Sequence, residues 1–514
     1  MKTAYINAIM LNKKQAFIVE NGRFTHVGTK RKILSEAIDE IIDLKDRAVL
    51  PGFNDAHMHV LGLGKMMNMI DVSEEPSIDS MIDSLKASNK NPIIGRGYKG
   101  TQFEENREPT KADLDKVSKD VPVILYRFCS HVVIANSKAI DLAYEKRGQY
   151  PSNKTHYDLE KGKFTESSRS FLMVLEPQDD TALREMILKG QDHLLKHGIT
   201  SVGSDDFGVV SVNYERVLNV FKTLAREDKL KLRILEQVNI PDEKDFDDFL
   251  TKGYPNKAFG RYTIGPVKLL TDGSLGARTA AMRAPYSDTE KETGFMVFDR
   301  EAIQKRIEKA RKHKMDYAMH AIGDKAIKTL VEISETLKET NRRDAIIHAQ
   351  LADEALIERM SAIGLGAQVQ PAFTASDAPI IKERLGGRSD HVYLFNTMIE
   401  KNVPVAFSTD APIEHVNPFH TLFSALKRTT VKEDYPPHLP NEGVPLRAGI
   451  KAYSAMGAYF ARMEDELGDI KKGHLADFIV VENLDFKDPS TLKNARVVET
   501  YIEGEKVHDA GDFS

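Results

Sequence analysis

The sequence predicts an α/β protein: a (β/α)8 barrel with a small β-domain built from both chain ends and an insertion after the first strand. Two observations predict it. Along the middle of the chain, short apolar strands alternate with helical stretches, the pattern of a parallel sheet with helices outside it. At both ends the pattern changes to hairpins. The length of 514 residues suits one large barrel with additions as well as three ordinary domains. Hydrophobic residues at 41% and charged residues at 29% exclude a disordered chain, a collagen and a coiled-coil rod.

The first hairpin is Phe17-Ile18-Val19-Glu20, then Asn21-Gly22, then Arg23-Phe24-Thr25-His26-Val27. Asn-Gly supplies the positive φ angles of a type I′ turn. Near the other end, 477–481 reads as a strand, and 497–503, Gly504 and 505–507 as a second hairpin. Neither end has strands enough for its own core. Residues 1–50 and 465–514 are therefore expected to build one composite β-domain, two separate flaps being the alternative. Residues 51–464 are expected to form the barrel. The strand candidates are 48–53, 93–97, 121–128, 199–204, 232–238, 262–270, 316–320, 344–348, 366–370 and 403–408. A barrel of eight has no place for two of them. The segment at about 61–185 contains two candidates and turn-rich charged runs such as Glu104-Glu105-Asn106-Arg107-Glu108-Pro109. Taken as an insertion after the first strand, it leaves eight.

Charge and composition exclude several partners. Lys plus Arg total 72 and Asp plus Glu total 77, a net charge of −5, so no basic excess points to nucleic acid or an anionic membrane. No stretch approaches ~18 uninterrupted apolar residues. The N-terminal apolar run at 4–11 is broken by Asn7 and closed by Asn12, Lys13 and Lys14, too short and polar for a signal peptide. A cytoplasmic protein acting on a small molecule is expected, and a homo-oligomer stays open. The single cysteine, Cys129, excludes a disulfide framework and a Cys-rich metal site.

The sixteen histidines carry more information. Pro51-Gly52-Phe53-Asn54-Asp55-Ala56-His57-Met58-His59 follows an apolar run. In extended chain, side chains i and i+2 point the same way, so His57 and His59 can face one metal. His320, His348 and Asp410 each come where an apolar run leaves the core. A hydrogen-bonded structural residue competes as the reading of any one of them. Four such groups on one edge fit the C-terminal face of a barrel, where its active sites lie. Lys268, at the apolar end of its strand, is costly to bury as a cation. It can snorkel to the rim. Alternatively its amine can react with CO2 to give a carbamate between two metals about 3.5–4 Å apart.

At these motifs the chain resembles the amidohydrolase superfamily of metal-dependent hydrolases. Within it the chain is similar to the branch of long amidohydrolases that includes N-substituted formamide deformylase. The shared motifs are the opening Pro-Gly-Phe-x-Asp-x-His-x-His, Val267-Lys268-Leu269 with Asp272-Gly273-Ser274-Leu275-Gly276-Ala277-Arg278-Thr279-Ala280, and His320-Ala321-Ile322-Gly323-Asp324. Ser408-Thr409-Asp410-Ala411-Pro412 and the tail Gly468-Asp469-Ile470-Lys471-Lys472-Gly473-His474-Leu475-Ala476-Asp477 complete the set. Together they span nearly the whole chain. The resemblance implies His57, His59 and Asp410 on one divalent metal, His320 and His348 on another, and carbamylated Lys268 between them. Imidazole and carboxylate ligands suit zinc; manganese and iron stay open. One departure is visible. The branch usually has a small or acidic residue and Gly before a His in the inserted region, whereas this chain reads Cys129-Ser130-His131. Cys129 is read as a buried small hydrophobe, with metal ligation, as in acylases that use Cys at a bridging position, the alternative.

The implied reaction is hydrolysis of a C–N, amide-type bond in a small non-peptide or N-acyl substrate by metal-activated hydroxide. Asp410 would serve as general base and His131 would donate to the oxyanion. The insertion is expected to cover the barrel mouth and bring His131 toward the metals. Arg278, in the glycine-rich turn, is a second candidate for holding a substrate carboxylate or carbonyl. Three alternatives are a mononuclear deaminase of the same superfamily that does not need Lys268, an esterase on the same site, and a metal-free scaffold.

Overall fold

In the computed structural model, which describes residues 1–11, 13–99, 103–127, 132–337 and 340–511, eight strands follow one another in parallel. They are β1 (Phe53–Met58), β2 (Ile199–Ser204), β3 (Arg233–Asn239), β4 (Tyr262–Lys268), β5 (Ala318–Ala321), β6 (Ala345–His348), β7 (Gly366–Val369) and β8 (Val405–Phe407). Their pairing is a sheet of β1 to β4, extended by the short antiparallel strand Ala258–Phe259, and a four-stranded sheet of β5 to β8, with no single continuous ring. Parallel bridges Val267↔Tyr317 and Leu270↔His320 join the two sheets on one side. On the other, the Asp410 N–H donates to the His57 carbonyl at 2.9 Å and the His59 N–H to the Ala411 carbonyl at 2.8 Å. Helices such as Arg300–Lys312, Asp324–Leu337 and Glu354–Ile363 alternate with the strands. Asp299 and Asp353 cap two of them by accepting from Ala302 and Leu356 N–H, which removes unsatisfied first-turn donors.

The first strand departs from the expected 48–53. The run divides at Gly52. Ala48–Pro51 pairs antiparallel with Phe478–Glu482 in a different sheet, and the parallel strand is Phe53–Met58, so His57 lies inside it. Asn54, Asp55 and His57 interrupt the apolar pattern, yet all six residues of β1 are buried. Polar groups are buried there because partners on neighbouring elements satisfy them. Asp55 accepts from Thr409 N–H at 3.1 Å, Thr409 Oγ1 at 2.6 Å and Tyr453 OH at 3.1 Å.

Both chain ends contribute to one eight-stranded sheet. Its order is Glu505–Asp509, Arg496–Ile502, Phe478–Glu482, Ala48–Pro51, Lys2–Met10, Lys13–Glu20 and Arg23–Gly28, with Glu40–Asp43 beside Lys2–Met10. Asn21 and Gly22 take the expected left-handed pair, φ 51° and 75°; in the second hairpin Glu503, expected as the last strand residue, joins Gly504 in the turn, at 51° and 74°. Tyr5 stacks on Phe17, and Phe478 on Tyr501, in the core of this sheet.

The parallel strands and the terminal sheet lie in one compact unit, Met1–Val60 with Gln191–Phe207 and Phe221–Ser514; Leu61–Gly190 and Gly208–Val220 form another. The second unit has a six-stranded sheet in which Ile70–Asp71, Ile93–Tyr98 and Val123–Arg127 run parallel. The strands Val132–Ala135, Lys163–Thr165 and Tyr157–Asp158 continue it antiparallel. Among the described residues no helix is long and apolar enough to cross a membrane.

Gly203 shows how closely β1, β2 and β3 approach. A Cβ there would lie 2.3 Å from the Ala56 carbonyl oxygen and 2.9 Å from Gln237 Nε2. Backbone cannot yield as a side-chain tip can. Gly203→Ala is therefore expected to cost about 1–3 kcal/mol, read as a lower Tm together with weaker metal retention. An unchanged Tm would contradict this packing.

Candidate metal centre

The C-terminal ends of all eight parallel strands bring polar groups together. His57 and His59 come from β1, Asp205 from the residue after β2, and Gln237 and Asn239 from β3. Lys268 ends β4, His320 lies in β5, His348 ends β6, Gln370 follows β7, and Asp410 comes three residues after β8. His57, His59 and Asp410 each offer one ligand atom, all within 4.8 Å of one another. Asp410 Oδ1 is 3.3 Å from His57 Nε2 and 3.2 Å from His59 Nε2.

The outer ring nitrogens are already committed. His59 Nδ1 is 2.6 Å from the Asp205 carbonyl oxygen, which can only accept, so Nδ1 carries the proton. His57 Nδ1 is 2.6 Å from Gln237 Oε1. That amide is oriented by its own Nε2, which donates to the Ala56 carbonyl at 3.0 Å and to Gln368 Oε1 at 3.1 Å. His348 Nδ1 is 2.7 Å from Gln370 Oε1, whose Nε2 donates to Ser408 Oγ at 2.8 Å. Each ring thereby keeps Nε2 free as a ligand, the arrangement that orients histidines around metals. His320 differs: its Nδ1 is 3.1 Å from Asp272 Oδ1. Its ring lies edge-on to His348 with centroids 4.6 Å apart, and His57 and His348 are 6.0 Å apart.

The electrostatics suit a cation. Burial, and then the Lys268 charge, push His57 down to about 4, which keeps it neutral. His348 is held well below the ordinary imidazole value by burial and by His320. Burial would raise Asp410, but its bonds to His57 and His59 outweigh that and hold the carboxyl well below the usual range. Burial likewise opposes, and the bond to Asp410 overcomes, the rise of His59 to about 9. With His57 neutral, Asp410 ionised and the proton shared between His59 and Asp410 the one a cation would displace, the three groups form a donor set that a divalent metal fits. The backbone is strained at the same place. His348, Ala349 and Asp410 have φ of 73°, 46° and 57°, a conformation that costs a non-glycine residue about 1–3 kcal/mol and clusters at functional sites.

Lys268 Nζ lies 3.1 Å from His57 Nε2 and 3.0 Å from Asp205 Oδ2, itself held by Asn239 Nδ2 at 3.0 Å. Arg278 is engaged elsewhere. Its Nη2 is 2.6 Å and its Nε 3.0 Å from Asp288 Oδ2. His131 and Cys129 lie outside the described residues. The sequence reading did not single out Asp205, Gln237, Asn239, Gln370 or Asp272. Asp205 and Asp272 carried a signal, each the first acidic residue after an apolar strand, and Asp272 also opens a shared motif.

The outer partners of the imidazoles give a test. Gln237→Leu is expected to weaken metal binding about 10–100-fold, measured by chelator competition, whereas Gln237→Glu, which keeps an acceptor for His57 Nδ1, should retain it. Equal loss in both variants would make Gln237 a packing residue only.

The Amidohydrolase family profile matches residues 40–508. The Bacillus subtilis protein YtcJ, named an amidohydrolase, is 31% identical over 97% of this chain and 96% of its own length. N-substituted formamide deformylase of Arthrobacter pascens is 22% identical, over 95% of this chain and 94% of its own. Among solved structures, an uncharacterized metal-dependent hydrolase from Pyrococcus horikoshii superposes with a TM-score of 0.83 at 30% identity, covering 99% of this chain and 100% of that one.

Proposed function

From the premise that the chain belongs to the amidohydrolase family, and so is a metal-dependent hydrolase of TIM-barrel type, we propose that it cleaves a C–N, amide-type bond in a small non-peptide or N-acyl molecule. The observation that carries this is the convergence of His57, His59 and Asp410, with both outer imidazole nitrogens tied to acceptors. On this reading the eight strands are a (β/α)8 barrel, the terminal sheet is a composite β-domain, and residues from about 61 to 185 are an insertion after β1. The likeness to N-substituted formamide deformylase supports an amide-type bond.

His57, His59 and Asp410 would hold one divalent metal, with zinc the ion their chemistry suits best, and His320 and His348 a second. Lys268 would lie between the two as a CO2-derived carbamate. Bound there, the metals supply a water acidified toward neutrality and a charge that polarises the scissile carbonyl. Asp410 is the general base: its carboxylate accepts the water's proton and returns it to the leaving nitrogen. The low proton affinity of Asp410 keeps the base ionised before attack. Gln237, Gln370 and the Asp205 carbonyl hold the imidazoles in one tautomer throughout. His131 would donate to the oxyanion and Arg278 would hold a substrate carboxylate or carbonyl. Arg278 would have to leave Asp288 to do so.

One observation favours a second reading, a mononuclear deaminase. Unmodified Lys268 sits well as an ammonium between Asp205 and His57, and a mononuclear site needs no bridge at that position. Plasma metal analysis combined with a panel of N-formyl, N-acyl, aminopurine and ester substrates separates the readings. Two metals and amide turnover support the proposal; one metal and ammonia release from an amino-heterocycle would replace it.

A further inference from the structure

The residues that follow the metal-site groups are apolar. Leu269 and Leu270 come after Lys268, Ala321 and Ile322 after His320, and Ala349 after His348. Pro371, Ala372 and Phe373 come after Gln370, and Ala411, Pro412 and Ile413 after Asp410. The ordinary reason for such residues is packing inside the fold, and Leu269, Ile322, Ala349 and Ala411 are buried in that way. Three others are not. Leu270 is 43% exposed, Ile413 is 65% exposed, and Phe373 is half-buried.

Leu270 faces the centre. Its backbone bridges His320 in parallel, and bridged residues put their side chains on the same side of a sheet; it also stands two residues beyond Lys268. Phe373, in helix Pro371–Ser376, lies flat against the His348 ring, with centroids 5.9 Å apart and 12° between planes. Ile413 is tied to Asp410, its N–H donating to the Asp410 carbonyl at 2.9 Å. The three follow β4, β7 and β8, so they reach the centre from different sides. Next to Leu270, the Val297 N–H donates to the Thr271 carbonyl at 2.8 Å, which brings the exposed Phe295 and Val297 to the same rim. One exposed apolar side chain needs no explanation; several gathered where a substrate must enter mark a binding surface.

The charges at this rim do not favour an anion. Arg278 is held by Asp288, and Arg283 by Asp324 and Asp353. Glu414, next to Ile413, accepts from Ser376 Oγ and has no ion pair among the described residues. A carboxylate on the body of a substrate would meet Glu414 and find both arginines of the turn after β4 taken.

We propose that Leu270, Phe373 and Ile413 set the specificity of the site: the group attached to the scissile amide is an uncharged alkyl or aryl chain that lies against these three side chains. The inference rests on the amide hydrolysis proposed above and names the substrate class for it. An apolar wall with a few polar groups at its base is the usual construction of a small-molecule site. Each chain methylene removed from water there is worth about two- to fourfold in affinity.

The test uses alkyl hydroxamates, whose head group chelates a divalent metal whether or not the enzyme turns a substrate over. Two series, lengthened on carbon or on nitrogen, are titrated calorimetrically into the metal-loaded full chain, beside kcat/KM for amides of the same chains. Affinity is expected to rise about two- to fourfold per methylene in at least one series. Leu270→Gln and Ile413→Gln, both at exposed positions, should flatten that rise and leave metal content, Tm and acetohydroxamate affinity unchanged. A chain ending in a carboxylate or an ammonium should bind at least about tenfold less tightly than the neutral chain of the same length. Affinity independent of length in both series, or a rise untouched in both variants, would overturn the proposal. So would tighter binding of the ammonium chain, which would assign specificity to Glu414. Length-dependent binding with no amide turned over would leave the apolar site standing and remove the amide-hydrolysis reading alone.

Discussion

Asp410→Asn is expected to retain its metal and to lose turnover by about 10²–10⁴-fold, the usual contribution of a positioned base. The amide oxygen can replace Oδ1 as a ligand and as the acceptor facing His59, but it has no affinity for a proton near neutral pH. Asp410 is placed by more than its own side chain. Its N–H donates to the His57 carbonyl at 2.9 Å, and Asp55 holds Thr409 through both N–H and Oγ1. The carboxylate is therefore set in a left-handed turn, φ 57°, that the substitution leaves intact. The check is kcat with metal content measured on the same sample. More than about a tenth of wild-type activity with metal in place would remove Asp410 as the base.

Lys268→Ala is expected to have a comparable effect by another route. It should lose activity together with at least one metal, because two cations held close need a shared anion. The vacated space lies beside Asp205 and His57, both buried, so a short carboxylate added to the buffer is expected to restore part of the activity. Metal content, activity and rescue are read together. Wild-type behaviour would discard the carbamate and favour the mononuclear reading. Loss of folding, read from Tm, would instead trace to Asp205, whose carboxylate would be left buried without its partner.

The groups that meet at the centre differ in how far the sequence shows them. His57, His59, His320, His348 and Asp410 stand where apolar runs end, and a polar residue at a strand end is visible in one dimension. Gln237 was not visible, because Leu235-Glu236-Gln237-Val238 reads as an ordinary strand interior. Its role depends on a contact with a residue 180 positions away. Gln370 is hidden for the same reason, its partner being His348. The boundary of β1 was misplaced because Asn54 and Asp55 interrupt the apolar pattern. Their burial is made favourable by distant partners: Thr409 and Tyr453 donate to Asp55, and the Tyr453 carbonyl accepts from the Asn54 N–H. The two terminal hairpins are legible because turn chemistry is local: Asn21-Gly22 carries its backbone requirement in two residues and Gly504 marks the second turn, while the left-handed Glu503 beside it gives no signal of its own.

The measurement closest to the central claim is plasma metal analysis of protein purified without chelator, joined to anomalous scattering from its crystals. The account predicts two metals per chain, one bounded by His57, His59 and Asp410, with extra density continuous with Lys268 Nζ. A chain that folds with its ligands intact and carries no metal, or carries it away from these three residues, would contradict it.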